Sequence, residues 1–450
     1  MVQLQCSVTE KARIGTPFLT ITVCGFTATI GQIVILRELL VLFYGNELST
    51  GLIFASWLLW TAMGSGVAGH YGTRMTQSAV LLPTLLAMIA LLLPVSVLWI
   101  RAARIIWAVP VGETIHPLLM LCISLSGTGL FCLASGVLFG LAWSSLAMTS
   151  GRGAGQPLTI YVGEALGAAL GGLFFYFILL PRVSILNATL ITSLMTLAGA
   201  SVVLFLQYRR FMTRSGYPVA LLAVFGIVAA GLAFSGTIDK SSRRWQWGPN
   251  LLAVRDTPFQ NLALLAEAGQ FSLFANGLLF FSTPDPQTAE YAVHPAMLQH
   301  QAPSKVLVIG GGVGGLLGEV LKHEGVVRID YVEPDPEVIE LAEEYLPGSA
   351  TAALFDRRVH LFHADAGAFV REAESPYDMV IMQLGDPANA EMNRFYTEEF
   401  FGRITRLLEP DGIFSFAVTA STGMVGLSEA GLLQSIYSTL RTVFPEVLVI

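Results

Sequence analysis

Apolar residues run almost unbroken through the first half of the chain. Stretches near residues 17–44, 49–70, 77–100, 117–147, 157–180, 183–206 and 217–236 are each long enough to cross hydrocarbon about 30 Å thick. The pattern predicts about seven membrane-spanning helices, an integral membrane domain over residues 1–240. Small residues recur at close spacing in GSGVAG (Gly64 to Gly69) and GEALGAALGG (Gly163 to Gly172), which lets helices approach closely in lipid. Arg37 and Glu38 interrupt the first run and Glu164 the fifth. Charge at that depth is costly, so these residues point either to pairing and snorkelling or to a polar interior and a pathway. No internal repeat is evident, and a transporter built from paired halves is not supported.

From Lys305 the period changes. KVLVI precedes GLLGEVLKH, RIDYVE precedes PEVIELAEEYL, VHLFHAD precedes AGAFVREA, and DMVIMQ precedes TEEFFGRITRLL. GIFSFAV then precedes a helix reaching about Val443, and a last run VLVI reads as a sixth strand. This alternation predicts an α/β doubly wound parallel sheet over residues 301–450. Residues 241–300 read as a linker and a small β-hairpin region containing FSLFANGLLFF. Folds of this class usually insert a seventh strand between the fifth and sixth, and without it a hydrophobic edge lies open. The expectation is a chain shorter than the natural product, or an irregular end.

Composition agrees with this division. The chain is 54% hydrophobic and 13% charged, too apolar for an ordinary soluble globule. Cut near Gly236, it holds 11 Lys+Arg and 5 Asp+Glu before the cut and 14 and 27 after it, giving halves of about +6 and −13. An acidic second half argues against nucleic acid as partner. Cys6, Cys24, Cys122 and Cys132 all precede the cut without metal-ligand spacing, so neither a metal site nor a disulfide framework is predicted. The N-terminus lacks the form of a cleaved signal, and the first run reads as a retained span. Basic residues at the predicted span ends number seven on the N-terminal side and six on the other, which leaves orientation undecided.

Candidate chemistry gathers at the predicted strand ends. Gly310, Gly311, Gly312, Gly314 and Gly315 follow the first strand, where bare backbone lets a ligand approach. The run is not a strict GxGxxG. Glu333 ends the second strand, where a carboxylate can accept both hydroxyls of a ribose, and Asp365 follows the third, placed to meet an adenine edge. These features in this order predict an adenosyl pocket.

The region over about residues 250–450 resembles the spermidine synthase (polyamine aminopropyltransferase) family, whose fold is class I methyltransferase-like, and in particular its membrane-fused bacterial branch. The resemblance rests on PFQNLALL, with Phe259 for a family Tyr and Gln260 kept, on FSLFANGLLFF, and on HPAMLQHQAPSKVLVIGGG. In the first half it rests on GFTATIGQIVILRELLVLFYG and the glycine-rich fifth run. It implies that Gln260, Glu333, Asp365 and Ala366, with the glycines alongside, hold the methylthioadenosine portion of decarboxylated S-adenosylmethionine. It also implies association as a homo-oligomer.

Four departures from the family pattern follow, of which the losses at Val313 and Gln383 strike the acceptor and the reacting centre and that at Ala390 the adenosyl pocket. The loop Asp of GGGDG is Val313 here. The catalytic segment reads QLGDP (Gln383 to Pro387), so the general base is replaced by Gln383 while Asp386 remains as base or ammonium anchor. The Tyr-His-Glu segment reads Thr288, Ala289, Glu290, leaving Glu290 as a substrate carboxylate, and a pocket proline is Ala390. Three functions follow as expectations. The first is transfer of an aminopropyl or related group from an S-adenosyl donor to an amine or polyamine. The others are methyl transfer from S-adenosylmethionine itself, and non-catalytic sensing or transport of an adenosyl metabolite or polyamine. The expected location is the inner membrane, multi-pass, with lipid as partner and the soluble domain in the cytoplasm.

Overall fold

The computed structural model describes residues 2–75, 80–149, 156–208, 216–419 and 426–450. Arg152, Arg209, Arg210 and Arg214, counted in the charge tally, lie outside them. The chain forms two compact units, Met1–Pro249 and Asn250–Ile450. The boundary falls later than residue 240 because a helix runs on through Trp247.

The first unit is helical: α1 (Val2–Phe43), α2 (Glu47–Met75), α3 (Leu81–Ile106), α4 (Pro117–Thr149), α5 (Gln156–Phe174), α6 (Ile185–Tyr208), α7 (Tyr217–Ala233) and α8 (Ser235–Trp247). Among the described residues, α1 to α6 are long and apolar enough to cross a membrane, and α7 with α8, bent by 72°, makes a seventh if the pair counts as one span. The small residues act where helices touch. A Cβ on Gly167 would overlap the carbonyl of Thr22, and one on Gly25 would overlap that of Glu164, so α1 and α5 meet backbone to backbone. Gly64 and Gly136 do the same for α2 and α4, whereas Gly66 and Gly69 face open space. Glu38 is paired: its Oε1 lies 2.7 Å from Arg101 Nη2, and both side chains are buried. Arg101 Nη1 also meets Asp239 of α8 at 2.7 Å, and Arg243 stands 3.6 Å from Glu38, so two acids and two bases balance.

The second unit opens with an antiparallel sheet of β1 (Leu251–Asp256), β2 (Asn261–Glu267), β3 (Gln270–Ala275) and β4 (Leu278–Thr283) in sequential order. The region expected as linker and hairpin, residues 241–300, is thus the end of α8, four strands and a helix over Pro286–Met297. Asn276 and Gly277 both have positive φ, 48° and 90°, the turn that suits a two-residue hairpin. Then come α9 (Pro286–Met297), β5 (Lys305–Ile309), α10 (Leu316–Leu321), β6 (Arg328–Val332), α11 (Pro336–Tyr345), α12 (Gly348–Thr351), β7 (Val359–Phe362), α13 (Ala366–Glu372), β8 (Tyr377–Met382), α14 (Ala390–Asn393), α15 (Glu398–Leu407), β9 (Leu408–Phe416) and α16 (Leu427–Val443).

β5 to β9 form a parallel sheet in the order β7-β6-β5-β8-β9. Strand alternation divides its core: Val306 and Val308 join one cluster with Ile329, Tyr331, Met379 and Ile381, while Leu307 and Ile309 join another with Val332, Val380 and Met382. The expected sixth strand does not form. Val447–Ile450 has no regular structure and Leu448, Val449 and Ile450 are exposed, because no strand of the sheet lies beside them to satisfy their backbone among the described residues.

Candidate functional site

The strand order reverses between β5 and β8. Ligands of open α/β sheets bind at the carboxyl ends of the strands at such a switch point, and there the glycine loop meets the ends of β6 and β8. Gly310 leaves β5 with its N–H donating to the Val332 carbonyl of β6 at 3.0 Å, and the Gln383 N–H donates to the Ile309 carbonyl at 2.8 Å. One backbone ladder therefore joins the loop to the ends of both neighbouring strands.

The glycines serve the protein's own packing before any ligand arrives. Gly310, Gly311 and Gly315 have φ of +70°, +67° and +110°. A Cβ on Gly310 would come within 2.6 Å of the Gln383 carbonyl oxygen, and one on Gly312 within 2.5 Å of the Tyr331 ring. At Gly314 it would meet Phe281 at 3.0 Å. Val313 is 2% exposed and belongs to the apolar cluster around Tyr331, Leu316 and Leu317. Its side chain fills the core beneath the loop.

Glu333 follows β6, buried, with its N–H donating to the Phe362 carbonyl at 3.0 Å. The Asp335 N–H donates to Glu333 Oε1 at 3.3 Å and the Tyr331 hydroxyl to Oε2 at 3.4 Å. Burial pushes the Glu333 carboxyl up to about 7 against these donors, and the charge of Asp335 adds to the rise. Asp335 in turn accepts from Thr257 Oγ1 at 2.8 Å and from Gln260 Nε2 at 3.2 Å. Gln260 therefore reaches the Glu333 region by way of Asp335.

Asp365 caps α13, accepting from the Ala368 N–H at 3.0 Å, and its other oxygen takes Arg394 Nη2 at 2.6 Å. Asp365, expected from the sequence to meet an adenine edge, is thus paired with a cation. Ala366 is buried at the start of α13. Gln383 Oε1 is buried without a hydrogen-bond partner among the described residues. Asp386 accepts from the Thr419 N–H at 2.9 Å, and Tyr396, buried behind it, donates to the Gly385 carbonyl at 3.2 Å. Burial, with the Asp386 charge, holds the Tyr396 phenol above its ordinary range. Glu290 is exposed on α9, next to Ala289, whose Cβ packs on Gly315.

Sequence reasoning missed Tyr331, Asp335, His363 and Arg394. Tyr331 shares the side of β6 with Glu333 by strand parity, and Asp335 stands just before Pro336 at a helix start, a pattern that marks a cap. His363, whose Nδ1 lies 3.1 Å from the Glu333 carbonyl oxygen, and Arg394 had no local signal.

Residues 286–449 match the family described as Spermine/spermidine synthase domain. The polyamine aminopropyltransferase of Mycobacterium tuberculosis is 32% identical over 268 residues, covering 58% of this chain and 51% of that protein. Its counterpart in Oceanobacillus iheyensis is 29% identical over 261 residues, covering 56% and 50%. This chain thus spans about half the length of both relatives. The polyamine aminopropyltransferase of a Synechococcus strain is 38% identical over 205 residues, covering 44% of this chain and 64% of that protein. A solved spermidine synthase in complex with the transition-state analogue AdoDATO superposes with a TM-score of 0.40 at 28% identity, covering 44% of this chain and 66% of that one. The structure of spermidine synthase from Thermotoga maritima gives 0.39 at 28% identity, with 44% and 65% covered.

Proposed function

We propose that this chain, whose C-terminal half is a spermine/spermidine synthase domain, is an integral-membrane transferase that moves an aminopropyl group from decarboxylated S-adenosylmethionine to an amine. The observation that carries the reading is the buried Glu333 carboxylate at the switch point, flanked by the Gly310–Gly315 loop and supported through Asp335 by Gln260. Two buried carboxylate oxygens suit the two vicinal hydroxyls of a ribose.

In the reaction, the amine nitrogen forms a bond to the propyl carbon attached to the sulfonium. The carbon–sulfur bond breaks, its electron pair goes to sulfur, methylthioadenosine leaves, and the nitrogen gives up a proton. Asp386 is the carboxylate at the end of β8 that can take that proton or anchor the ammonium. Gln383 cannot take a proton; its unpartnered Oε1 can accept a hydrogen bond from the amine and orient it. Val313, turned into the core, contributes no charge to the acceptor side.

The test is calorimetric titration of the purified full chain with methylthioadenosine, S-adenosylmethionine and the decarboxylated donor, followed by assay of methylthioadenosine release with putrescine and longer amines. Preference for the decarboxylated donor and release with an amine are expected. Preference for the carboxylated donor would turn the reading to methyl transfer, and binding of none would overturn it. The helical unit would hold the enzyme in the bilayer with the second unit in the cytoplasm, where S-adenosyl donors are made. Protease added to sealed cells should then leave residues 250–450 intact.

A further inference from the structure

We infer that the Tyr331 hydroxyl ties the glycine loop to Glu333 and holds that carboxylate in position for a ribose, which makes Tyr331 a positioning residue for donor binding. This rests on the adenosyl reading of the site. Tyr331 precedes Glu333 by two residues on β6, so both side chains leave the same side of the strand. Its ring is fully buried among Val313, Leu316 and Leu317. The loop lies directly on that ring, since a Cβ on Gly312 would stand 2.5 Å from its ζ carbon. The hydroxyl, on that ζ carbon beside Gly312, donates to Glu333 Oε2 at 3.4 Å. A core position needs only apolar volume there; a hydroxyl buried at such a place is costly unless it is paired, as this one is with Glu333.

The direction of that donation is fixed by electrostatics. Burial and the neighbouring carboxylate push the Tyr331 phenol well above its ordinary range, so it keeps its proton and gives the hydrogen bond. The other groups facing Glu333 are few. Asp335 supplies a backbone donor and an opposing charge, His363 meets the Glu333 backbone carbonyl rather than its carboxylate, and the loop offers backbone amides beside the apolar Val313. Tyr331 therefore supplies the side-chain donor that favours ionised Glu333, against a burial that raises it to about 7. The ionised carboxylate accepts from both ribose hydroxyls through charge-assisted hydrogen bonds on its two oxygens, whereas protonation turns one oxygen into a donor.

The test compares wild type with Tyr331→Phe, which keeps the ring beneath Gly312. The full chain in detergent is titrated with methylthioadenosine from about pH 6 to about pH 9, bracketing the Glu333 midpoint. Loss of the hydroxyl should weaken binding about tenfold near neutral pH, with the pH of half-maximal affinity moved upward and the deficit smaller at the alkaline end. A ligand-free readout runs beside it: the Glu333 carboxyl stretch, isolated as an infrared difference against Glu333→Gln, should titrate at higher pH in Tyr331→Phe. An unchanged affinity, or a loss uniform across pH with the carboxyl midpoint unmoved, overturns the role of Tyr331. A wild type that binds no methylthioadenosine overturns the adenosyl reading itself, and this role in donor binding with it.

Discussion

Gly311 and Gln383 face each other where β5 and β8 end: a Cβ at Gly311 would stand 2.7 Å from the Cβ of Gln383, and the Gln383 amide oxygen is buried there with no hydrogen-bond partner among the described residues. The loop and the β8 end are fitted to one another with no spare volume. Any ligand at the switch point meets a surface whose backbone course is already fixed by the protein.

Gly311→Ala should therefore destabilise the second unit. The φ of +67° is unfavourable for any residue with a Cβ, and the overlap with Gln383 adds to it, for a loss of about 2–4 kcal/mol together. Gly318→Ala is the control. Gly318 lies within α10 with open space around it, and alanine there should be neutral or stabilise by about 0.5–1 kcal/mol. Scanning calorimetry of the full chain distinguishes the pair; equal melting temperatures would contradict the packing argument.

The two replaced acids should behave differently from each other when restored. Gln383→Asp puts a carboxylate at the strand end beside Asp386 and should raise methylthioadenosine release with a diamine by about 10²-fold or more, the range set by a positioned general base. Val313→Asp buries an unpaired charge in an apolar cluster and should cost several kcal/mol, lowering soluble yield rather than raising activity. A Val313→Asp protein as stable as wild type would show that the side chain at 313 can turn toward the acceptor.

Glu333→Gln should separate binding from stability. The folded-state value of about 7 lies above the ordinary 4.5. Below about pH 4.5 both folded and unfolded chains hold the proton and the site costs nothing. Between about 4.5 and 7 the unfolded chain ionises first and stability falls with rising pH, until the full cost of about 3 kcal/mol is present above 7. The glutamine variant should accordingly be more stable than wild type by about 1–3 kcal/mol near pH 8, equal to it near pH 4, and unable to bind methylthioadenosine. Melting curves at both pH values check the sign; a variant less stable near pH 8 would refute it.

In the helical unit, Arg101→Met should cost about 3–5 kcal/mol, because it leaves Glu38 buried beside one remaining, more distant cation, Arg243. The double change Glu38→Met with Arg101→Met should cost less than the single one, since it removes both ends of the buried pair. Unfolding in detergent, followed by cysteine accessibility at buried Cys132, measures both. A double variant no better than the single would place the stabilising role on Asp239 and α8 instead.

How much of this was legible along the chain follows from the range of each interaction. Apolar run length and strand parity are local, so the helices α1 to α6, the succession β5 to β9 and the positions of the glycines, Glu333 and Asp386 could be read directly. Small residues at close spacing announced tight helix contacts, but only packing revealed that Gly64 and Gly167 make them and that Gly66 and Gly69 do not. A strand needs a neighbour as well as a pattern, which is why VLVI reads as β and forms none. The side to which Val313 points, the ion pair between Glu38 and Arg101, and the chain of donors from Gln260 through Asp335 to Glu333 join residues far apart in sequence or set by loop geometry. Those contacts depend on burial and on the meeting of separate elements, quantities that exist only once the chain has folded.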